Sequence, residues 1–211
     1  MHEWVIKSRR LASLLGLMTL VLALPACGGD SGGGSTPTPT VTCSFTSNNG
    51  AAAADVVRFT DNVVVASNLC TLEVAIGGAT TDSNYYAFAF DVEISDPTVA
   101  QFVGGSDTVG NFLLNTVDSQ ATQSGSRVVV GVSKSGAVAG NGTANAEDIV
   151  VNLTFRVLKA GSATLSFQGS PANPALQNCS ANGPEAIADA TGNWGCIAST
   201  SFGTGGTITG S

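Results

Sequence analysis

Strict alternation of apolar and polar residues is the feature that most restricts the fold of this chain. An extended strand over residues 85–94 would carry large apolar side chains on one face, those of Tyr86, Phe88, Phe90, Val92 and Ile94. The opposite face, which we expect to contact solvent, would carry Tyr85, Ala87, Ala89, Asp91 and Glu93. The same period of two returns in residues 149–158 and 163–167. Such a pattern favours sheets with one buried and one solvated face.

Shorter strand-like runs, separated by Gly, Ser and Asn, fill most of the remaining chain. They are Val56–Phe59, Asn62–Ala66, Cys70–Ile76, Val99–Val103, Phe112–Asn115, Arg127–Val132 and Thr207–Thr209. The stretches 51–55 and 144–148 contain helix formers but are too short for more than a turn. The sequence therefore predicts an all-β protein, a single antiparallel β-sandwich of jelly-roll type with about nine strands.

The N-terminal segment has the features of a secretion signal. Lys7, Arg9 and Arg10 precede the apolar stretch Leu11–Leu24, which is too short to span a bilayer. The tetrapeptide Leu24-Pro25-Ala26-Cys27 resembles the lipobox of bacterial lipoproteins, in which the Cys thiol is acylated. We expect a signal peptide over residues 1–26, a lipidated Cys27 at the start of a Gly/Ser and Thr-Pro linker over residues 27–42, and one domain over residues 43–211.

The charge and the single histidine exclude several function classes. His2, the only histidine, lies in the predicted signal, so a mature chain would lack Ser-His-Asp and Cys-His catalytic sites and His-ligated zinc. Removal of residues 1–26 would leave 14 acidic and 5 basic residues, a net charge of −9. Because so acidic a surface repels phosphate backbones, we expect no nucleic-acid partner.

Cys43, Cys70, Cys179 and Cys196 remain once Cys27 is assigned to lipid. An even number in an exported chain indicates disulfides. Three pairings are open, and proximity in sequence favours Cys43 with Cys70 and Cys179 with Cys196.

Three segments in order resemble a cohesin-type domain. They are YYAFAFDVEISDPTVAQFVG, RVVVGVSKSG and EDIVVNLTFRVLKAGSATLSFQ, together covering much of residues 56–168, and Ile208 has the position of a closing strand. The resemblance implies a nine-stranded jelly roll without catalytic residues that presents a sheet face to a partner. In cellulose-degrading bacteria that partner is a dockerin, a calcium-loaded helical module.

Four residues are candidates for a binding surface. Tyr85, Asp91 and Glu93 would share the solvent face of one strand, and Trp194 would lie on a loop where its indole could stack on a sugar or cover a disulfide. Asp91 and Glu93 also form the nearest approach to a carboxylate pair for glycoside hydrolysis, but an open sheet face does not raise the pKa of an acid. We expect no catalytic residue, metal or cofactor.

These observations predict a non-enzymatic lipoprotein of the bacterial cell envelope that binds a dockerin-like protein and is linked to extracellular polysaccharide processing. Gly28, rather than Asp, follows Cys27 and favours the outer membrane. A carbohydrate-binding module and a structural envelope or adhesion component are the alternatives.

Overall fold

A computed structural model describes residues 40–78, 85–113, 117–135, 140–142, 147–168, 186–189 and 201–211, with the backbone alone for 168, 186–189 and 201. The predicted signal, most of the predicted linker, Cys27, Cys179, Trp194 and Cys196 lie outside these residues. Among the described residues, no helix is long and apolar enough to cross a membrane.

The described residues form thirteen β-strands. These are β1 (Cys43–Ser47), β2 (Val56–Ala66), β3 (Leu69–Gly77), β4 (Tyr85–Ile94), β5 (Ala100–Phe102), β6 (Thr108–Val109), β7 (Val117–Ser124), β8 (Arg127–Lys134), β9 (Glu147–Val157), β10 (Gly161–Gln168), β11 (Ala186–Asp189), β12 (Ser201–Phe202) and β13 (Gly206–Gly210).

The strands build two sheets. The seven-stranded sheet has the order β1-β13-β10-β4-β8-β7, with β11 also paired to β4. The six-stranded sheet has the order β12-β2-β3-β9-β5, with β6 also paired to β9. Every pair is antiparallel except β12 with β2, which is parallel. The predicted all-β sandwich is confirmed, with more strands than the nine that the sequence indicates because the structure adds β1, β6, β7, β11 and β12.

The inward faces of both sheets form one hydrophobic core. Phe59 of the six-stranded sheet stacks on Phe167 of the seven-stranded sheet at 4.9 Å between ring centroids and meets Phe45 edge-on at 5.6 Å. Phe88, Phe90 and other inward residues of β4 are fully or almost fully buried. Each such side chain contributes about 1.5–3 kcal/mol through burial, so the paired inward faces hold the sheets together.

The predicted Cys43–Cys70 disulfide is present, with the two Cα atoms 5.8 Å apart. Cys43 lies in β1 of the seven-stranded sheet and Cys70 in β3 of the six-stranded sheet. The bridge therefore joins the two sheets covalently. The second predicted pair, Cys179 with Cys196, lies outside the described residues.

Two strand predictions differ from the structure. The runs 56–59 and 62–66 form one strand, β2, whose pairing with β3 shifts between Phe59 and Val63. Thr60 Oγ1 and Asn62 Nδ2 both donate hydrogen bonds to the Glu73 carboxylate of β3, at 3.2 Å each, and so hold the bulge. The predicted strand Phe112–Asn115 is not a strand in its described part, because Phe112 and Leu113 form a bend with their side chains buried.

Candidate binding face on the seven-stranded sheet

Strand β4 lies inside the seven-stranded sheet, between β8 on one side and β10 and β11 on the other. Its inward residues are the ones that the alternation predicts from residue 88 onward. Because successive side chains of a strand point to opposite faces, Ala89, Asp91 and Glu93 belong to the outward face. A central strand flanked on both sides gives these residues fixed positions.

The register of β7, β8 and β4 aligns their outward residues in rows. Directly opposite residues of antiparallel strands place their side chains on the same face. We call these twelve residues the outer face; its rows are Ser124-Arg127-Glu93, Thr122-Val129-Asp91, Gln120-Gly131-Ala89 and Asp118-Ser133-Ala87. Residues far apart in sequence thus lie on one side of the sheet, where Ala87 and Asp91 are themselves buried.

Arg127 organises the charges of the outer face. Its Nη1 atom lies 3.4 Å from Asp91 Oδ2 and its Nε atom lies 3.9 Å from Glu93 Oε2. One guanidinium group therefore serves two carboxylates, and the cluster keeps a net charge of −1. Arg127 is 29% exposed, so the cluster can still contact solvent or a partner.

The prediction that Asp91 lies in contact with solvent is wrong. Its outward direction is confirmed, but the residue is only 4% exposed. Asp91 is covered from the side, because it lies on a central strand and pairs with Arg127 of the neighbouring strand. Glu93 is partly exposed, as predicted, and is the acidic residue of the strand that a partner can reach.

The prediction for Tyr85 is also wrong, because this residue is fully buried. The register between β4 and β11 shifts at this point: Ala87 pairs with Ala188, and Tyr85 rather than Tyr86 pairs with Asp189. The extra residue reverses the alternation, since a bulge re-aims the side chains beyond it. Tyr85 consequently stacks on Phe88 at 5.8 Å, and its Oη atom donates a 2.8 Å hydrogen bond to the buried Asp55 carboxylate.

A depression of about 370 Å³ is lined by residues of β4, β7 and β8 that include Ala89, Gly131 and Gln120, the row next to that of Asp91 and Val129. Ala89 and Gly131 are among its lining residues, and a Cβ atom built on Gly131 would meet no atom within 4 Å. Val129, which is 50% exposed, follows Arg127 on the same side of β8. The outer face therefore combines a charged cluster, an exposed apolar side chain and a hollow.

The arrangement supports contact with a partner rather than bond-breaking chemistry. Asp91 and Glu93 share the same guanidinium and face outward from a sheet, whereas a glycosidase needs two carboxyl groups on either side of a scissile bond. Within the described ranges, no group of three or more His, Cys, Asp or Glu side chains could hold a metal ion.

Arg127, Val129 and Gly131 were not among the candidates from sequence. The signal that could have found them is in β8 itself, where RVVVGV places an Arg, an apolar Val and a Gly on the face opposite to the buried Val128, Val130 and Val132. A single exposed apolar residue is common on protein surfaces, so Val129 is informative only together with Arg127 and Gly131 on the same side of β8. Trp194 and Cys27 lie outside the described residues, so their predicted roles stay predictions.

No protein-family profile and no curated protein sequence matches the chain. Solved structures do resemble it. Type II cohesin A11 of Bacteroides cellulosolvens superimposes with a TM-score of 0.52 at 12% identity, over 74% of this chain and 98% of the cohesin. The described domain has a cohesin-like fold.

Two structures from the adaptor scaffoldin ScaA of Acetivibrio cellulolyticus agree with this result. Its second type II cohesin module matches the cohesin-like domain with a TM-score of 0.50 at 16% identity, over 80% of this chain and 96% of the module. A type II cohesin dyad matches with a TM-score of 0.51 at 13% identity over 74% of this chain, which spans 48% of the dyad. At these identities the likeness is one of fold.

Proposed function

We propose that this protein is a non-enzymatic binding module that contacts a protein partner through the outer face. The observation that carries the proposal is the alignment of Arg127, Glu93 and Val129 on adjacent central strands of a cohesin-like domain. The cohesin resemblance makes a dockerin-like helical module the first partner to test. Because the net charge is strongly acidic, the partner would offer cations toward the outer face.

The rigidity of the outer face supports this proposal. Its side chains rise from paired strands, so little backbone entropy is lost when a partner binds. Interfaces commonly surround an apolar centre with a polar rim. Val129 has that central position, with Arg127 and Asp91 on neighbouring positions and the polar side chains of β7 at the edge.

The test compares two exposed valines on opposite sheets. Val129 lies on the outer face, whereas Val64, which is 69% exposed, lies on β2 of the six-stranded sheet. Full-length protein carrying Val129→Arg or Val64→Arg is immobilised, and binding of dockerin-like modules and of envelope proteins is measured. We expect Val129→Arg to weaken the partner at least about tenfold, equivalent to about 1.4 kcal/mol, and Val64→Arg to have little effect.

Equal binding by the two variants would contradict the outer face as the contact surface. Circular dichroism checks that both variants keep the fold. If neither dockerin-like modules nor any envelope protein binds the unsubstituted chain, the proposal of a protein partner fails as a whole.

We further propose that the domain is held at the outer membrane through lipidated Cys27 and contributes to extracellular polysaccharide processing. The proposal rests on the basic residues, the apolar stretch and the lipobox-like tetrapeptide before Gly28. Substitution Cys27→Ser removes the thiol that would be acylated. We expect the variant to move from the membrane fraction to the soluble fraction, measured by fractionation and immunoblotting; an unchanged membrane fraction would count against the anchor.

Carbohydrate binding now has less support than it had from the sequence. A flat sugar-binding surface needs exposed aromatic rings, and Tyr85 is buried between the sheets. Retention of the full-length protein on insoluble polysaccharide, abolished by Trp194→Ala, would favour this alternative over a protein partner.

A further inference from the structure

Lys134 ends β8 on the inward side of the strand. The residue continues the inward series Val128, Val130 and Val132 and is only 3% exposed. Lysine is almost never fully buried without a partner, because removing an ammonium group from water is costly. So small an exposed fraction for a lysine calls for a chemical explanation.

The Lys134 amino group contacts one side chain in particular, the carboxamide of Asn141. Nζ donates a hydrogen bond to Asn141 Oδ1. Asn141 is itself fixed, because its backbone N–H donates to Tyr85 O at 2.8 Å and its backbone oxygen accepts from Tyr85 N at 2.9 Å. The amine and the carboxamide are therefore held in contact by the fold. Because the two groups are already together, no entropy is lost in bringing them together for a reaction.

Burial also prepares the amine for attack. Desolvation lowers the pKa of Lys134 below its ordinary value of 10.5. A larger fraction of the group is then the neutral amine, and only this form has the lone pair that a nucleophile needs.

We propose that Lys134 and Asn141 are joined by an intramolecular isopeptide bond. The Nζ lone pair attacks Asn141 Cγ and forms a carbon–nitrogen bond, and the Cγ–Nδ2 bond breaks. One proton passes from Nζ to Nδ2, which leaves as ammonia. No oxidation or reduction occurs, and no co-reactant is needed.

The bond would lock the end of β8 to the residue that pairs with the start of β4. It closes a ring between positions seven residues apart. It also replaces a buried ionisable amine by a neutral amide, which removes the cost of keeping a charge in the interior. The cross-link would strengthen the same two strands that carry the charged cluster of the outer face.

Trypsin distinguishes the linked from the unlinked chain. Cleavage after Arg127, Lys134 and Arg156 gives peptides 128–134 and 135–156 from an unlinked protein. An acylated Lys134 resists trypsin, so the linked protein gives the single peptide 128–156, lighter by one ammonia. We expect this peptide from the folded full-length protein, and we expect its fragment spectrum to lack cleavages between residues 134 and 141, because breaking a ring bond releases no fragment.

Two variants separate this bond from other ammonia losses. Asn141 precedes Gly142, and an Asn-Gly pair can also lose ammonia by closing on its own backbone, which leaves Lys134 open to trypsin. Lys134→Met should give peptide 128–156 at full mass with cleavages throughout, and Asn141→Ala should give the two separate peptides. Recovery of peptides 128–134 and 135–156 from the unsubstituted, folded protein would overturn the proposal.

Discussion

At the scale of single residues, Arg127 forms an ion pair with a buried acid. Asp91 is nearly inaccessible, and the guanidinium of Arg127 provides the opposite charge at 3.4 Å. Glu93 is more exposed and lies farther from the same group, at 3.9 Å. Removing the partner of a buried charge lowers the free energy of unfolding far more than breaking an exposed ion pair does. The two carboxylates should therefore respond differently to substitution.

We predict that Arg127→Met lowers the free energy of unfolding by about 2–4 kcal/mol, because it leaves the Asp91 carboxylate buried without its cation. Glu93→Gln is the matched control and should cost no more than about 0.5 kcal/mol. Urea unfolding of both variants measures the difference. If the two substitutions cost the same, Asp91 does not depend on Arg127. The double variant Asp91→Asn, Arg127→Met should recover part of the loss.

A second residue-scale prediction concerns the turn at Asp96-Pro97. Thr98 donates two hydrogen bonds to Asp96 Oδ1, from its hydroxyl at 2.6 Å and its backbone N–H at 2.9 Å. These bonds, the hydroxyl first, lower the pKa of Asp96 below its ordinary value of 3.8. The ionised Asp96 carboxylate therefore stabilises the fold fully at pH values above the pKa that Asp96 has in the unfolded chain. This stabilisation is lost as the pH falls through the lower pKa that Asp96 has in the folded chain.

We predict that Thr98→Ala raises the pKa of Asp96 toward 3.8 and weakens this acid-side stabilisation. Thr98→Ser keeps a hydroxyl group and should leave the pKa low. A carboxyl titration followed by NMR measures both variants. An Asp96 pKa that is the same in the Ala and Ser variants would show that the hydroxyl bond has no influence.

At the scale of elements, the bulge at the start of β4 decides which of two adjacent tyrosines is in the core. Tyr85 is fully buried against Phe88 and Phe112, whereas Tyr86 is only partly buried. We predict that Tyr85→Ala costs about 3–5 kcal/mol of unfolding free energy because it leaves a large cavity. Tyr86→Ala should cost clearly less. The reverse order in thermal or urea unfolding would mean that β4 keeps regular alternation.

Regular alternation explains which elements the sequence could predict. β4 from residue 88, β9 from Val151 and β10 each bury one face, so their pattern is strong. The predicted alternation is wrong at the start of β9, where Val150 and Val151 are both buried because the pairing with β3 shifts there. β7, with the sequence VDSQATQS, was missed because it is an edge strand in which Ala121 alone is buried, so no apolar series marks it. The irregularities in β2, β4 and β9 were missed because a shift in register depends on the partner strand.

The outer face was only partly predictable for the same reason. The outward direction of Asp91 and Glu93 follows from the period of two within their own strand. The burial of Asp91 does not, because it depends on Arg127, which lies 36 positions later in the chain and becomes a neighbour only when β8 pairs with β4. Single-strand patterns give the direction of a side chain, whereas strand pairing gives its neighbours.

At the scale of the whole molecule, the two sheets are joined by packing and by one covalent bridge. The aromatic contacts of Phe59 with Phe45 and Phe167 cross between the sheets. The Cys43–Cys70 bridge crosses at the first described strand, where β1 pairs only with β13 in its own sheet. An edge strand with a single hydrogen-bonded neighbour separates more easily than a central one. The disulfide therefore has its greatest effect on the attachment of β1.

We predict that the double variant Cys43→Ala, Cys70→Ala loses about 3–4 kcal/mol of unfolding free energy under oxidising conditions. The bridge spans 27 positions, and closing a loop of that size restricts the unfolded chain by this amount. Under a reductant, the unsubstituted protein loses the same constraint, so the two proteins should then unfold at similar urea concentrations. A difference that persists in reductant would assign the loss to packing of the two buried side chains.

If the bridge acts on β1, hydrogen exchange in the variant should accelerate first in residues 43–47 and in their partners 206–210, while β4 and β8 keep their protection. The outer face would then stay intact, and the disulfide variant should bind the proposed partner as tightly as the unsubstituted protein, whereas Val129→Arg should bind it more weakly.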